Sequence, residues 1–219
     1  MIHVYGVVDQ LRSLPLQLGV GGAPLERARV GRLELVVSRT NSNEATREAV
    51  LAHAQVVDEL MARSRAVLPV QFTAFADEGE LADAVVPKVE TLERALRRVR
   101  GCAEFGLRVA QAAVELPEAS SGAEYMRARL AEEQRRQQVT ALVHEPLTRL
   151  SRATARVRSS SAGVLESAYL VPVETVAAFR DTLGRLQVEH PELTIVCTGP
   201  WPAYSFGGSV EESEPEPEL

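Results

Sequence analysis

A chain of 219 residues has room for one large domain or two of about 100 residues each, and its 45% hydrophobic and 25% charged content excludes a membrane-spanning or low-complexity protein. The formal net charge of −6 is carried by the last ten residues: without Glu211, Glu212, Glu214, Glu216 and Glu218, 24 basic side chains face 25 acidic ones, which leaves no electrostatic footprint for nucleic acid. Cys102 and Cys197 give neither zinc spacing nor a disulfide framework. No run approaches the ~20 apolar residues of a membrane span, and His3 and Tyr5 interrupt any apolar leader. The expectation is a cytoplasmic chain with no lipid-membrane partner.

Ile2 to Val8 is almost uninterruptedly apolar and predicts a first strand buried on both faces. A Leu-, Gly- and Pro-rich loop spans Leu14 to Pro24, and Leu33, Leu35 and Val37 mark the next strand. Ser42 or Asn43 can cap a helix running to about Arg65, with Val50, Ala54, Val57 and Met61 on its apolar face. Val67 to Phe72 is extended again, and Pro69 assigns it to a sheet edge or a bulge. Asp77 and Glu80 then form a capping pair ahead of Leu81, Val85, Val89, Leu92, Leu96 and Val99, a helical stripe that Gly101 ends.

A domain boundary is expected near Gly101. Cys102 to Leu116 reads as a strand, with Phe105, Leu107 and Val109 on one face. Ser121 and Glu124 repeat the capping pattern before a long helix whose stretch Glu132 to Gln138 has no apolar residue, so it cannot lie against a core along its whole length. Pro146 ends or kinks that helix. Val164 to Val171 predicts a strand, Pro172 opens a helix carrying Val173, Val176, Phe179, Leu183 and Leu186, and Leu193 to Cys197 is the last strand. From Ser209 on, the Pro/Glu/Ser composition is that of a disordered tail.

Catalytic signals are weak. His3, His53, His144 and His190 include no i, i+3 or i+4 pair, so no local metal pair exists. Cys197 with His190 as nucleophile and base matches no mechanistic spacing, and Cys197 lies inside an apolar strand. Gly19-Val20-Gly21-Gly22 lacks the Lys-Ser/Thr of a phosphate loop. The segment Thr198-Gly199-Pro200-Trp201-Pro202-Ala203-Tyr204-Ser205-Phe206 is the exception. It holds three of the ten aromatics, including the only Trp, and its two prolines exclude helix and central strand. It reads either as a lid on the second domain's core or as a contact patch built on Trp201, Tyr204 and Phe206. On the polar helix, Arg127, Arg129, Arg135 and Arg136 are the candidate polar contacts, against the alternative of a solvated face.

Taken in order, several segments resemble the gas vesicle protein GvpF/GvpL family over nearly the whole chain. Val4-Tyr5-Gly6-Val7-Val8 is similar to its opening strand, and Ala66-Val67-Leu68-Pro69-Val70-Gln71-Phe72 to its central Leu-Pro segment. Cys102 to Val109, Ser121 to Arg129 and Ala168-Tyr169-Leu170-Val171 follow, and Thr198 to Phe206 matches its C-terminal signature. The chain departs from the pattern at His53-Ala54, at Phe72-Thr73-Ala74 and at Pro202-Ala203. The resemblance implies an α+β protein of two small domains with ferredoxin-like elements, placed at 1–101 and 102–208, with the tail at 209–219. It implies an accessory or minor structural role in gas vesicle assembly, with contacts to the small hydrophobic shell subunit and to other accessory proteins. It implies no enzyme activity and no cofactor. A small-ligand-binding regulatory module, its ligand covered by the Gly19–Gly22 loop, is the alternative.

Overall fold

A computed structural model describes residues 1–111, 121–159 and 164–207. The chain is mixed α+β, with two four-stranded sheets, and divides into two compact units. Unit 1 takes Met1–Cys102 and the described residues from Trp201 on; unit 2 takes Ala103–Pro200.

In unit 1, β1 (Ile2–Asp9), β2 (Leu25–Val30), β3 (Leu33–Arg39) and β4 (Ala66–Phe75) form an antiparallel sheet in the order β2-β3-β1-β4. The central β1 is buried on both faces, as its apolar run requires. α1 (Arg47–Arg63) packs against β1 and β4, and α2 (Glu78–Val85) and α3 (Val89–Val99) supply further helical cover. Pro69 sits on the edge strand, at a break in register: Val4 pairs with Thr73 but Gly6 with Pro69. Both readings of this proline therefore hold. Against β3, Val4 pairs with Val37 and Gly6 with Val36, so Tyr5 stands in a bulge of β1. A bulge re-aims side chains, and this one leaves the His3 and Tyr5 rings in edge contact, with centroids 4.9 Å apart.

Three expectations need correction. The N-cap of α1 is Thr46, whose hydroxyl accepts from the Ala49 N–H, not Ser42 or Asn43. Its buried face is His53, Val56, Val57 and Leu60; of the face read from the sequence only Val57 is fully buried, and Val50 is exposed. The stripe from Leu81 to Val99 is two helices joined by a 3-10 turn at Val86–Lys88, because Pro87 has no N–H to continue the ladder. The stripe still faces inward: Leu81, Val85, Leu92, Leu96 and Val99 are all buried. Asp77 caps α2, accepting from the Gly79 and Glu80 amides, while the Glu80 carboxylate accepts from the Ala76 N–H. Gly101 adopts a φ of 67°, the left-handed conformation of a helix-ending glycine.

In unit 2, β5 (Cys102–Gln111), β6 (Ala153–Ser159), β7 (Val164–Pro172) and β8 (Leu193–Trp201) form a sheet in the order β6-β7-β5-β8. The rest of the strand expected to reach Leu116, and the acidic tail, lie outside the described residues. α4 (Gly122–Val139) begins with the Ser121 hydroxyl accepting from the Glu124 amide and leads into a π-turn at Thr140–His144. α5 (Glu145–Thr148) carries Pro146 in its first turn, so the helical run does not stop at this proline but continues through the π-turn to Thr148. α6 (Val176–Glu189) buries Phe179, Thr182, Leu183 and Leu186, whereas Val173 is exposed in a preceding 3-10 turn. Phe179 packs between Phe105 and Tyr169, with ring centroids 5.3 and 5.5 Å away.

Candidate functional site

The aromatic segment divides by exposure. β8 is an edge strand that runs to Trp201, and Trp201 is 48% exposed. Pro202, Ala203, Phe206 and Gly207 are buried, while Tyr204 is 40% exposed. The anchors belong to unit 1: the Arg98 guanidinium lies over the Phe206 ring at 5.8 Å, and Gly207 approaches Leu68 on β4. Phe206 is thus a support, and Trp201 and Tyr204 are the aromatics held at the surface. The lid expected on the second domain's core is replaced by packing on unit 1.

On α4, Arg127 and Arg129 are exposed, and so are the helix's few large apolar residues, Tyr125, Met126 and Leu130. Met126 and Leu130, four residues apart, share one strip of its surface. Arg135 and Arg136 belong to the same helix; their side chains lie outside the described residues.

A polar cluster that the sequence spacing does not announce sits inside unit 1. His53 Nε2 is 3.0 Å from the Val70 carbonyl, which can only accept, so this nitrogen carries the proton and Nδ1 is the acceptor. His3 Nε2, 2.8 Å from His53 Nδ1, must then donate. The remaining His3 nitrogen, Nδ1, is buried without a partner and is left as a bare lone pair. A second proton on the pair would have no acceptor there. Burial, followed by the neighbouring His53, lowers His3 to about 4, and burial also lowers His53. Tyr5 lies against both imidazoles, stacked on His53 with centroids 5.3 Å apart. Its hydroxyl meets Ser38 Oγ at 2.8 Å and accepts from the Val20 N–H at 2.7 Å.

Val20 belongs to the Gly19–Gly22 loop, which forms one wall of a cavity of about 430 Å³. Thr40, Ser42, Thr46 and the first turns of α1 also line it, with Glu44 and Glu48. Gly21 and Gly22 take φ values of 68° and 70°, so the loop needs glycine there.

In unit 2, His144 Nδ1 lies 2.7 Å from the Tyr169 hydroxyl, and burial pushes that phenol up to about 12, so it stays protonated. The Cys197–His190 pairing weighed from the sequence gains nothing: His190 Nδ1 meets Glu192 at 3.2 Å, and burial pushes the Cys197 thiol up, away from the thiolate a nucleophile needs. Among the described residues no group of three or more His, Cys, Asp or Glu could hold a metal ion, and no helix is long and apolar enough to cross a membrane.

Known proteins are similar to this chain in sequence and in fold. Gas vesicle protein F2 of Halobacterium salinarum (strain ATCC 700922 / JCM 11081 / NRC-1) is 29% identical over 94% of this chain and 91% of its own length. Gas vesicle protein L of Streptomyces sp. (strain CB03234) is 28% identical over 89% of this chain and 87% of its own. The crystal structure of GvpF from Anabaena sp. PCC7120 superposes with a TM-score of 0.79 at 14% identity, covering 94% of this chain and 95% of that one. GvpF from Microcystis aeruginosa gives 0.77 at 16% identity, over 94% and 98%. The family described as "Gas vesicle synthesis protein GvpL/GvpF" matches residues 1–207, the whole described span, and the chain belongs to that family.

Proposed function

We propose that this protein is a non-catalytic accessory or minor structural component of gas vesicle assembly that binds the hydrophobic shell subunit and other accessory proteins. Family membership supports the role in gas vesicle formation. The observation that carries the binding role is the split of the aromatic segment: Pro202, Ala203 and Phe206 are buried, and Trp201 and Tyr204 stand out at its surface. Such large side chains on an anchored backbone lose little conformational freedom on binding and are typical interface anchors. Arg127, Arg129, Arg135 and Arg136 on α4 are proposed as a separate polar contact, beside the exposed Met126 and Leu130. The proposed place of action is the cytoplasm, at the forming gas vesicle.

The test is co-precipitation of the purified chain with the shell subunit of the same organism, using the native sequence, Trp201→Ala/Tyr204→Ala and Arg127→Glu/Arg129→Glu. Circular dichroism checks that each variant is folded. Loss of binding in the folded aromatic variant supports the reading. Undiminished binding in both variants rejects these surfaces, and no binding by the native chain rejects the shell subunit as partner.

One observation favours the alternative of a small-ligand module: the Gly19–Gly22 loop does line a cavity, whose volume of about 430 Å³ suits a small molecule. A thermal-shift screen against metabolites tests it, because a ligand of the folded state raises the melting temperature; a flat screen counts against it.

A further inference from the structure

The wall of the cavity is fastened to the buried histidine pair through one aromatic ring. The Gly19–Gly22 loop lies so close to Tyr5 that a Cβ on Gly19 would stand 2.1 Å from the Tyr5 hydroxyl oxygen. The same hydroxyl takes the Val20 N–H at 2.7 Å and bonds Ser38 Oγ at 2.8 Å. Behind the hydroxyl, the Tyr5 ring rests on His53, stacked at 24°, and on the edge of His3 at 67°. The loop and the ring are in contact, so displacement of the ring displaces the loop.

The pair has one place for one proton between its two rings. His3 Nε2 donates to His53 Nδ1, and His53 Nε2 donates to the Val70 carbonyl. Whichever imidazole takes up a further proton, the pair must present an N–H at His3 Nδ1, which is buried and without an acceptor. That N–H must find water, by rotation of a ring or by separation of the elements around it. The groups that face the pair are Tyr5 and Ser38, on β1 and β3, and the Val70 carbonyl and the Phe72 ring on β4. No carboxylate is among the groups that perturb either imidazole; only the Val70 carbonyl, accepting from His53 Nε2, favours the charged form, and burial outweighs it.

We propose that His3 and His53 form a proton-sensitive latch on the Gly19–Gly22 loop: while both rings are neutral, Tyr5 holds the loop in place along the cavity, and a proton taken up by the pair frees it. The burial that depresses both imidazoles, His3 to about 4, places the release below the ordinary histidine range. The latch needs no occupant in the cavity.

The experiment is site-resolved amide exchange of the full chain by NMR at pH 7 and pH 4, expressed as protection relative to the intrinsic rate at each pH. In the native sequence the Val20 amide should lose about tenfold or more of its protection on acidification, while Val36 in the sheet keeps its own. His3→Gln/His53→Gln, whose amides donate and accept without titrating, should show no such loss. Tyr5→Phe, which removes the acceptor of the Val20 N–H, should leave Val20 poorly protected at both pH values. Val20 protection unchanged in the native chain overturns the latch, as does an equal loss in the double glutamine variant or a loss shared with Val36. If the double variant does not fold, the imidazole 15N shifts of the native chain decide: protonation coincident with loop release supports the latch, and release while both rings are still neutral overturns it.

Discussion

Gly19→Ala isolates a single contact. Gly19 has φ −84° and ψ −162°, a conformation open to any residue, so the backbone itself does not oppose the change. Space does. The new methyl would lie 2.1 Å from the Tyr5 hydroxyl oxygen, 2.9 Å from the ring carbon that bears it and 3.0 Å from a methyl of Leu25. The hydroxyl is the tip of a rigid, fully buried ring, and it cannot retreat without breaking its bonds to Val20 and Ser38. Two buried hydrogen bonds left unmade cost about 2–5 kcal/mol together, and the smaller entropy of the unfolded alanine chain returns about 0.5–1. The expected net destabilisation is about 1–4.5 kcal/mol. Gly22→Ala is the control: it meets no atom within 4 Å but has φ +70°, so it should cost only the left-handed penalty of about 1–2 kcal/mol. Denaturant unfolding followed by fluorescence reads the effect on unit 1, because the only Trp, Trp201, belongs to it. Adding Tyr5→Phe removes the oxygen that the methyl strikes, so Gly19→Ala should cost at least about 1 kcal/mol less in that background. A Gly19→Ala penalty no larger than that of Gly22→Ala, or one indifferent to Tyr5→Phe, would refute the reasoning.

Phe206→Ala should destabilise the protein by about 3 kcal/mol, because it empties a buried aromatic site, whereas Trp201→Ala should change unfolding by less than about 1 kcal/mol; denaturant melts followed by circular dichroism compare the two. Stability should fall on acidification. His3 is depressed in the folded state from 6.5 to about 4, so the unfolded chain binds more protons between those values; stability is full above pH 6.5, drains away as the pH falls to about 4, and is insensitive to this residue below that. The loss attributable to His3 is about 3 kcal/mol, and it should vanish from pH-dependent urea midpoints in a folded His3→Gln/His53→Gln variant. Cys197 should alkylate with iodoacetamide at pH 8 more slowly than free cysteine, because burial keeps its thiol protonated; mass spectrometry of the labelled peptide measures this, and equal rates would contradict the described environment.

The parts of the fold legible in the sequence are those where one local signal suffices. Pro69 announces an edge and a bulge because a proline cannot donate to a ladder, and both are found. The apolar positions from Leu81 to Val99 mark a buried face even though Pro87 divides the helix that carries them. β2 escapes notice because Leu25 to Val30 alternates around Glu26, Arg27 and Arg29 on a sheet edge, where charge masks the apolar period. The face of α1 is misjudged because Val50 is assumed inward, while His53, a polar residue, takes the inward place beside Val56 and Val57. Of the candidate site, the aromatic cluster is legible from composition, but which of its rings are exposed depends on β4 and α3, far away in sequence. The histidine pair joins residues 50 apart, and no local spacing encodes that meeting. Its only trace is a histidine and a tyrosine inside the stretch Ile2 to Val8, otherwise made of aliphatic residues and glycine.

The return of the C-terminal segment to unit 1 has a consequence for the order in which the molecule is made. A ribosome delivers Met1 to Cys102 first, yet Ala203 and Phe206, which complete that unit's buried surface, come more than ninety residues later. Until they emerge, Leu68 on β4 lacks its neighbour Gly207, and Arg98 has no ring beneath it. Unit 2 is continuous in sequence and can close around Phe105, Tyr169 and Phe179 before unit 1 is finished. Unit 1 is therefore completed only after the whole of unit 2 has been delivered, and Trp201 and Tyr204 take up their surface positions later than every residue of that unit.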